Sequence, residues 1–345
     1  MRAVILGVGA VGSRAARQLA SSPEVTSIVV CDREPGRVDA VANSLGPIAS
    51  AEPWHPKVLD GADVLLVTAP LATSLVALAA GRSSGPVGLG LVEEALAGGV
   101  AVVSVADGMA EVEGLSRFRT AARAGGIPLV IGAGMAPGLT DVLVRQAAVT
   151  FDTVEEIHVS RAGTGGPACA RQQHRALGDE ALDWRDGEWA RRPGGSGREI
   201  CWFPEPVGGR DCYRAGLPDA LLLVPAFPGV RRVTARVAAT RRDRLTSALP
   251  MLRQPHPEGE VGAVRVEVRG QRGGSRQVCV LGAIDRPAVA AGAVAAMSCL
   301  WAVSGRFSSP AAGGLAELLR DPGEFLAELA RRGVKAAVFE GSAAG

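Results

Sequence analysis

Lysine, tyrosine and histidine are scarce in this chain: its 345 residues include one tyrosine, four histidines and only two lysines, Lys57 and Lys335. Aromatic residues amount to 4% and the net charge is +2, so basic charge is carried by scattered arginines with no basic block. That excludes the electrostatic footprint of a nucleic-acid binder. Six cysteines (Cys31, Cys169, Cys201, Cys212, Cys279, Cys299) form no C-x-x-C pair and share no metal-ligand spacing with the histidines. They read as reduced, mostly buried thiols, and no metal is expected. A Ser-His-Asp order and a Walker-type phosphate loop are also missing. Long apolar runs are few: 64–81 contains Pro70 with Thr and Ser, and 287–305 is dominated by Ala and Gly. Both are only weakly apolar and barely long enough to span, so they read as buried core and no membrane contact is expected. The first structured run begins at residue 2, which leaves no room for a signal peptide; the expected compartment is the cytoplasm.

What is present starts at the amino terminus. Ala3 to Leu6 is a short apolar, partly β-branched run, and Gly7-Val8-Gly9-Ala10-Val11-Gly12 follows it directly, opening an Ala-rich helix over 13–20. In a dinucleotide-binding βαβ unit the first glycine permits the tight turn and the second lets the backbone approach a pyrophosphate. The third brings helix and strand together, and free N–H groups at the helix start hold the phosphates. A glycine-rich turn of an ordinary α/β protein is the bland alternative, because Gly makes up 45 of the 345 residues. Context favours the nucleotide: a second apolar run, 27–31, ends in Asp32, twenty residues after Gly12, where a carboxylate accepts ribose hydroxyls. That carboxylate favours NAD over NADP, since it repels a 2′-phosphate. Arg33 and Arg37 oppose this preference, because either can pair with that phosphate or lie on the adenine.

With 47% hydrophobic and 21% charged residues, a chain of this length suits two domains with ample cores. A short helix over 36–44, a weak strand over 48–51, a near-continuous apolar strand over 63–68, and strands over 101–106 and 127–131 predict a doubly wound parallel sheet over 1–150. Between them, 75–80 and 91–97 look helical, separated by Arg82-Ser83-Ser84-Gly85-Pro86. Beyond 150 the pattern changes to apolar alternation in 151–159, 233–237 and 264–268, which predicts a mixed or antiparallel sheet with one face packed and one wet or subunit-facing. This second, mixed α/β domain is placed at 151–285. The stretch 161–214, dense in Gly, Arg and Trp, shows no periodicity. The remainder, 286–340, is read as a small-residue helix over 288–303, two short helices broken at Asp321-Pro322-Gly323 and a strand over 334–339, all packing back on the first domain; the tail 341–345 should be loose.

The strand ends resemble the saccharopine dehydrogenase-like (saccharopine reductase type) oxidoreductases. The resemblance rests on the glycine loop, Cys31-Asp32-Arg33, Thr68-Ala69-Pro70 and Val105-Ala106-Asp107. Its most specific part is the run Gly132-Ala133-Gly134-Met135-Ala136-Pro137-Gly138-Leu139-Thr140-Asp141. It covers 1–150, with 325–333 as a later echo, and implies an NAD(P)-binding domain, an inserted mixed domain and hydride chemistry at a C–N bond of an amino acid or polyamine derivative. Two departures, the long 75–90 region and the middle domain, limit what the resemblance implies: the fold transfers and the substrate does not.

Candidate site residues follow. Gly7, Val8, Gly9, Ala10, Val11, Gly12, Asp32 and Arg33 would hold the nucleotide, and Thr68, Ala69, Pro70, Gly134 and Met135 would wall the nicotinamide. Pro137 and Gly138 would touch the substrate, or simply start a helix with proline in its first turn. Asp107 would orient nicotinamide or substrate, or serve only as a helix cap. Within 161–214, Arg171 and Arg175 would clamp a carboxylate while Trp202 and Tyr213 exclude water. His174 would relay a proton. A lid or dimer contact with solvated arginines explains the same residues. The chain is thus expected to be an NAD(P)-dependent oxidoreductase of a small molecule, a homodimer through its second sheet. A dinucleotide-binding sensor that has lost the reaction is the rival.

Overall fold

Seven short strands, all but the edge strand β3 largely buried, build the first sheet: β1 (Arg2–Leu6), β2 (Ser27–Cys31), β3 (Ala49–Ala51), β4 (Val64–Val67), β5 (Ala101–Ser104), β6 (Leu129–Ile131) and the two-residue β15 (Ala312–Gly313). The computed structural model describes residues 1–71, 88–251, 255–257 and 259–339. The candidate helix 75–80, the far part of the run 64–81 and the tail 341–345 lie outside the described residues. The strand order is β15-β6-β5-β4-β1-β2-β3 and every pairing is parallel, the doubly wound arrangement expected from the sequence. Apolar runs such as Val64-Leu65-Leu66-Val67, with no side chain more than 1% exposed, are what a strand covered by helices on both sides requires.

The second sheet contains β7 (Thr153–Ala162), β8 (Ala181–Arg185), β9 (Glu188–Arg192), β10 (Glu199–Trp202), β11 (Gly209–Arg214), β12 (Arg232–Ala238), β13 (Gly262–Arg272), β14 (Ser275–Asp285) and β16 (Lys335–Phe339). Its main path runs β10-β11-β12-β7-β13-β14-β16, with β12 and β7 parallel and the other neighbours antiparallel, so the sheet is mixed. Ile157, Val159, Val233, Ala235, Val264, Val266 and Val268 alternate onto its packed face, against helices Leu139–Ala148 and Asp219–Ala226. On the other face Glu156, Arg232, Arg265, Glu267 and Arg269 make ion pairs.

Two expectations are corrected. The stretch 161–214 is largely regular: it holds helix Pro167–Ala176 and strands β8 to β11. Its period was hidden because polar side chains occupy the inward stripe of the helix, where Gln173 and His174 are buried beside Ala170 and Ala176. The last strand, β16, does not return to the first sheet but extends the second, its residues pairing with Val280 to Ile284 of β14, whose edge would otherwise be unpaired. The rest of the closing segment does pack on the first domain. Helix Pro287–Val303 is almost wholly buried, and a Cβ on Gly292 would stand 2.7 Å from Arg14 Cβ and 2.9 Å from Ala15 N of helix Ala10–Ala20. Small residues thus let the two helices touch backbone to backbone. Among the described residues no helix is long and apolar enough to cross a membrane.

Candidate active site

The glycine loop is a close-packed turn with one open side. Gly7 has φ +96°, a conformation L side chains rarely adopt, and a Cβ there would meet Ala69 N at 2.6 Å. A Cβ on Gly12 would stand 1.9 Å from Gly7 O and 2.6 Å from Thr68 Oγ1, whereas one on Gly9 would meet nothing within 4 Å. Gly9 precedes helix Ala10–Ala20, whose first N–H groups have no side-chain cap. Thr68 donates its hydroxyl to Gly7 O, and Ala69 N–H donates to Leu6 O at 2.9 Å, so the β4 strand end fixes the turn. Pro70 is exposed. Asp32 holds the loop from the other side: its Oδ2 accepts Val8 N–H at 2.8 Å and its Oδ1 accepts Glu34 N–H at 3.1 Å. Arg37 Nη1 lies 3.4 Å from the same carboxylate, while Arg33 is exposed. Open space over Gly9, a bare helix start and a carboxylate at the β2 end fit a dinucleotide's pyrophosphate and ribose. Gly7 to Gly12 and Asp32 would hold them.

After β6, the turn 134–138 closes on itself: Gly134 N–H donates to Pro137 O at 3.0 Å and Leu139 N–H to Gly134 O at 2.9 Å. Gly138 has φ +124°, and a Cβ there would meet Gly134 O at 2.1 Å. Met135 and Pro137 are buried in this turn. Arg161, near the end of β7, donates from Nη1 to Ala136 O at 2.5 Å and so ties the second sheet to the turn.

Helix Pro167–Ala176 lies across the carboxyl ends of the first sheet. The Cβ position of Gly166 is 2.9 Å from Ala10 Cβ, that of Gly108 is 2.8 Å from Gln172 Nε2, and Cys169 Sγ donates to Asp107 Oδ2 at 3.6 Å. A cover from the second domain is therefore present, and it is a helix. Beneath it Asp107 is crowded although part of it still touches solvent. Desolvation raises its carboxyl above the usual range, against the lowering effect of Arg161 and Cys169. Glu111 accepts Leu71 N–H at 2.6 Å. Burial first and the Asp107 charge second push its carboxyl up to about 7. Asp219, opening helix Asp219–Ala226, and Asp141, in the first turn of helix Leu139–Ala148, are fully buried. Both are raised chiefly by desolvation. Asp141 has the Gly138 and Leu315 backbone N–H groups nearby but closes no hydrogen bond of full geometry.

The other expected site residues are distributed differently. His174 faces away from Asp107: its Nε2 lies 2.8 Å from Thr246 O and 3.2 Å from Leu249 O, and its position is about 140° around the helix from Cys169 at 3.6 residues per turn. Arg171 is exposed; Arg175 is exposed too, donating to Gln172 Oε1 at 3.2 Å, though its charge still favours ionised Asp107 and Glu111. Trp202 sits on edge strand β10, 65% exposed, and Tyr213 is buried in β11 under the Arg244 guanidinium, 4.3 Å from its ring centroid. None of His174, Arg171, Trp202 and Tyr213 joins the Asp107 cluster by a described contact. Sequence reasoning passed over Arg161, Glu111, Cys169 and Asp219. A signal existed for two of them: Arg161 interrupts an apolar alternation just before Gly-Thr-Gly-Gly-Pro, and Asp219 follows a proline at the head of an apolar run.

Residues 3–74 match the model of the TrkA-N domain. No curated protein matches the sequence. Among solved structures, saccharopine dehydrogenase (L-Glu forming) from Saccharomyces cerevisiae aligns over 98% of this chain and 99% of its own, with TM-score 0.67 and 13% identity. Amine dehydrogenase from Mycobacterium smegmatis aligns over 93% and 98%, with TM-score 0.50 and 14% identity. The whole chain therefore has the two-domain, Rossmann-type α/β fold of a saccharopine dehydrogenase.

Proposed function

We propose that this protein is an NAD(P)-dependent oxidoreductase acting at a C–N centre of a small amine or amino acid. The observation that carries the reading is the meeting, at one edge of the Rossmann sheet, of an open glycine loop with a helix-covered cluster of titratable side chains. The two proteins whose fold it shares are named as dehydrogenases of saccharopine and of amines, which supports the reaction type. The bound nicotinamide would supply or take up the hydride. Gly7 to Gly12 would receive the pyrophosphate on backbone N–H groups, and Asp32 would accept ribose hydroxyls, which favours NAD over NADP. Met135 to Gly138 would form the wall beside the reacting carbon, and helix Pro167–Ala176 would exclude water from it. Loss of hydride from carbon must be matched by loss of a proton from nitrogen. Asp107 is the residue we assign to take it, because a desolvated carboxylate is a stronger base than an ordinary one. We further propose a homodimer formed through the charged face of the second sheet; a single 35 kDa species in sedimentation at micromolar concentration would reject it.

The experiment is a titration of the purified protein with NADH and NADPH, followed by nicotinamide fluorescence and then by turnover on amines, amino acids and 2-oxo acids. Binding of NADH at least tenfold tighter than NADPH is expected. Absence of response to either nucleotide would sink the reading, and binding without turnover on any member of the panel would count for a sensor instead.

A further inference from the structure

Buried polar atoms without partners are concentrated at one place in the fold. Of twelve such side-chain atoms among the described residues, seven belong to Thr140, Asp141, Arg161 and Asp219, all around the turn 134–138. Native interiors pair nearly all such groups, so a cluster of unpaired ones marks a place where a ligand or ordered water completes the structure. Arg161 is the informative member. It is 5% exposed, its Nη1 is committed to Ala136 O, and both Nε and Nη2 are unpartnered. Nε and the Nη on the same side form one edge of the planar guanidinium. Their N–H bonds run parallel, at a spacing that matches the two oxygens of a planar oxyanion. Lysine has no such edge.

We propose that the Nε–Nη2 edge of Arg161 is the docking point for the substrate's carboxylate, and that Asp107 and Asp219 face the substrate's nitrogen. This rests on the oxidoreductase reading above and selects, within it, carboxylate-bearing amines over polyamines. The charge balance agrees. Asp107 and Asp219 both lie within the field of Arg161, yet Nε and Nη2 of Arg161 and both carboxyl oxygens of Asp219 have no hydrogen-bond partner among the described residues. The guanidinium is anchored through Nη1 on Ala136 O and keeps two idle donors within the field of two carboxylates. A zwitterion placed between them satisfies both signs at once, its carboxylate on the arginine and its ammonium toward the acids. A polyamine would satisfy the acids and leave the buried fork empty, at the cost of two unpaired charged donors. Arg171 and Arg175, exposed on the cover helix, need no partner of this kind.

The test compares L-alanine with ethylamine, L-leucine with 3-methylbutylamine and L-lysine with 1,5-diaminopentane, by calorimetry on the full chain with and without saturating NADH. Wild type should bind at least one amino acid tenfold or more tighter than its decarboxylated partner, and Arg161→Lys should reduce that ratio to within threefold while NADH affinity stays unchanged. The Arg161 Nε–H resonance of wild type, assigned by through-bond correlation to its own backbone amide, should shift on addition of the amino acid and not of the amine. This second readout stands even if the variant folds poorly. Amines binding as well as amino acids, an unchanged ratio in Arg161→Lys, or an Nε–H resonance that no member of the panel moves would each overturn the proposal. Failure of NADH to bind, with the amino-acid preference intact, would instead overturn the oxidoreductase reading alone.

Discussion

Two glycines of the same loop should separate binding from folding. A Cβ at Gly9 enters space with nothing within 4 Å, at φ −70° and ψ −157°, a conformation any residue adopts. The folded protein should accept Gly9→Ala with a change within about 0.5 kcal/mol, helped by the smaller entropy of the unfolded chain. The same methyl stands where the pyrophosphate must approach the backbone, so NADH affinity should fall about tenfold to a hundredfold, or roughly 1.4–2.7 kcal/mol. Gly12→Ala is the opposite case. Its Cβ would sit 1.9 Å from Gly7 O and 2.6 Å from Thr68 Oγ1, so the helix must lift from the strand. Overpacking of this kind costs about 1–3 kcal/mol, and it disorders the loop that binds. Thermal unfolding and NADH fluorescence titration of both variants read the two effects independently. A Gly9→Ala protein with wild-type affinity, or one destabilised as much as Gly12→Ala, would refute the assignment of that open space to the nucleotide.

Three further outcomes are expected. Native Glu111 holds its proton to about pH 7, against an ordinary 4.5, so this group's contribution to stability is lost as pH rises through that window; Glu111→Gln should match wild type near pH 4.5 and exceed it by up to about 3 kcal/mol at pH 8, and a gain independent of pH in thermal scans would reject this. His174 is bonded to the carbonyls of Thr246 and Leu249, so His174→Ala should lower stability by roughly 1–2 kcal/mol and leave the pH profile of turnover in place; loss of a limb near neutral pH would return it to the chemistry. Gly292→Ala forces a methyl against the Arg14–Ala15 backbone, and despite the helix propensity gained should cost roughly 1–2 kcal/mol in denaturant unfolding, while unchanged stability would mean the two helices are not in contact.

The fold could be read from the chain because its signals are local. The apolar runs ending in Cys31 and Val67 are short enough to be only buried strands, and the Gly7 to Gly12 spacing is tied to a turn within a few residues. In the second domain the alternation around Val233 and Val264 marked the mixed sheet for the same reason. Helix Pro167–Ala176 escaped because burial and polarity disagree there. Ala170, Gln173, His174 and Leu177 follow the i, i+3, i+4, i+7 stripe of a buried face, but its two middle members are polar. Read as a helix, with Pro167 at its start, the segment puts Arg171 and Arg175 four apart on one exposed stripe and removes the expectation that both fork onto a substrate.

Arg161 could not be found that way. Its function depends on which of its three nitrogens are occupied, and the occupant of Nη1 is a carbonyl 25 residues earlier, presented by a turn whose shape requires Gly138 at φ +124°. The same holds for Asp107 and Asp219. They lie more than a hundred residues apart and influence each other only after the second domain has folded over the first. A strand's hydrophobic pattern is enforced at every second residue, so it survives in the sequence. A site built by leaving a few buried groups unpaired is defined by what does not touch them, and no local pattern records that.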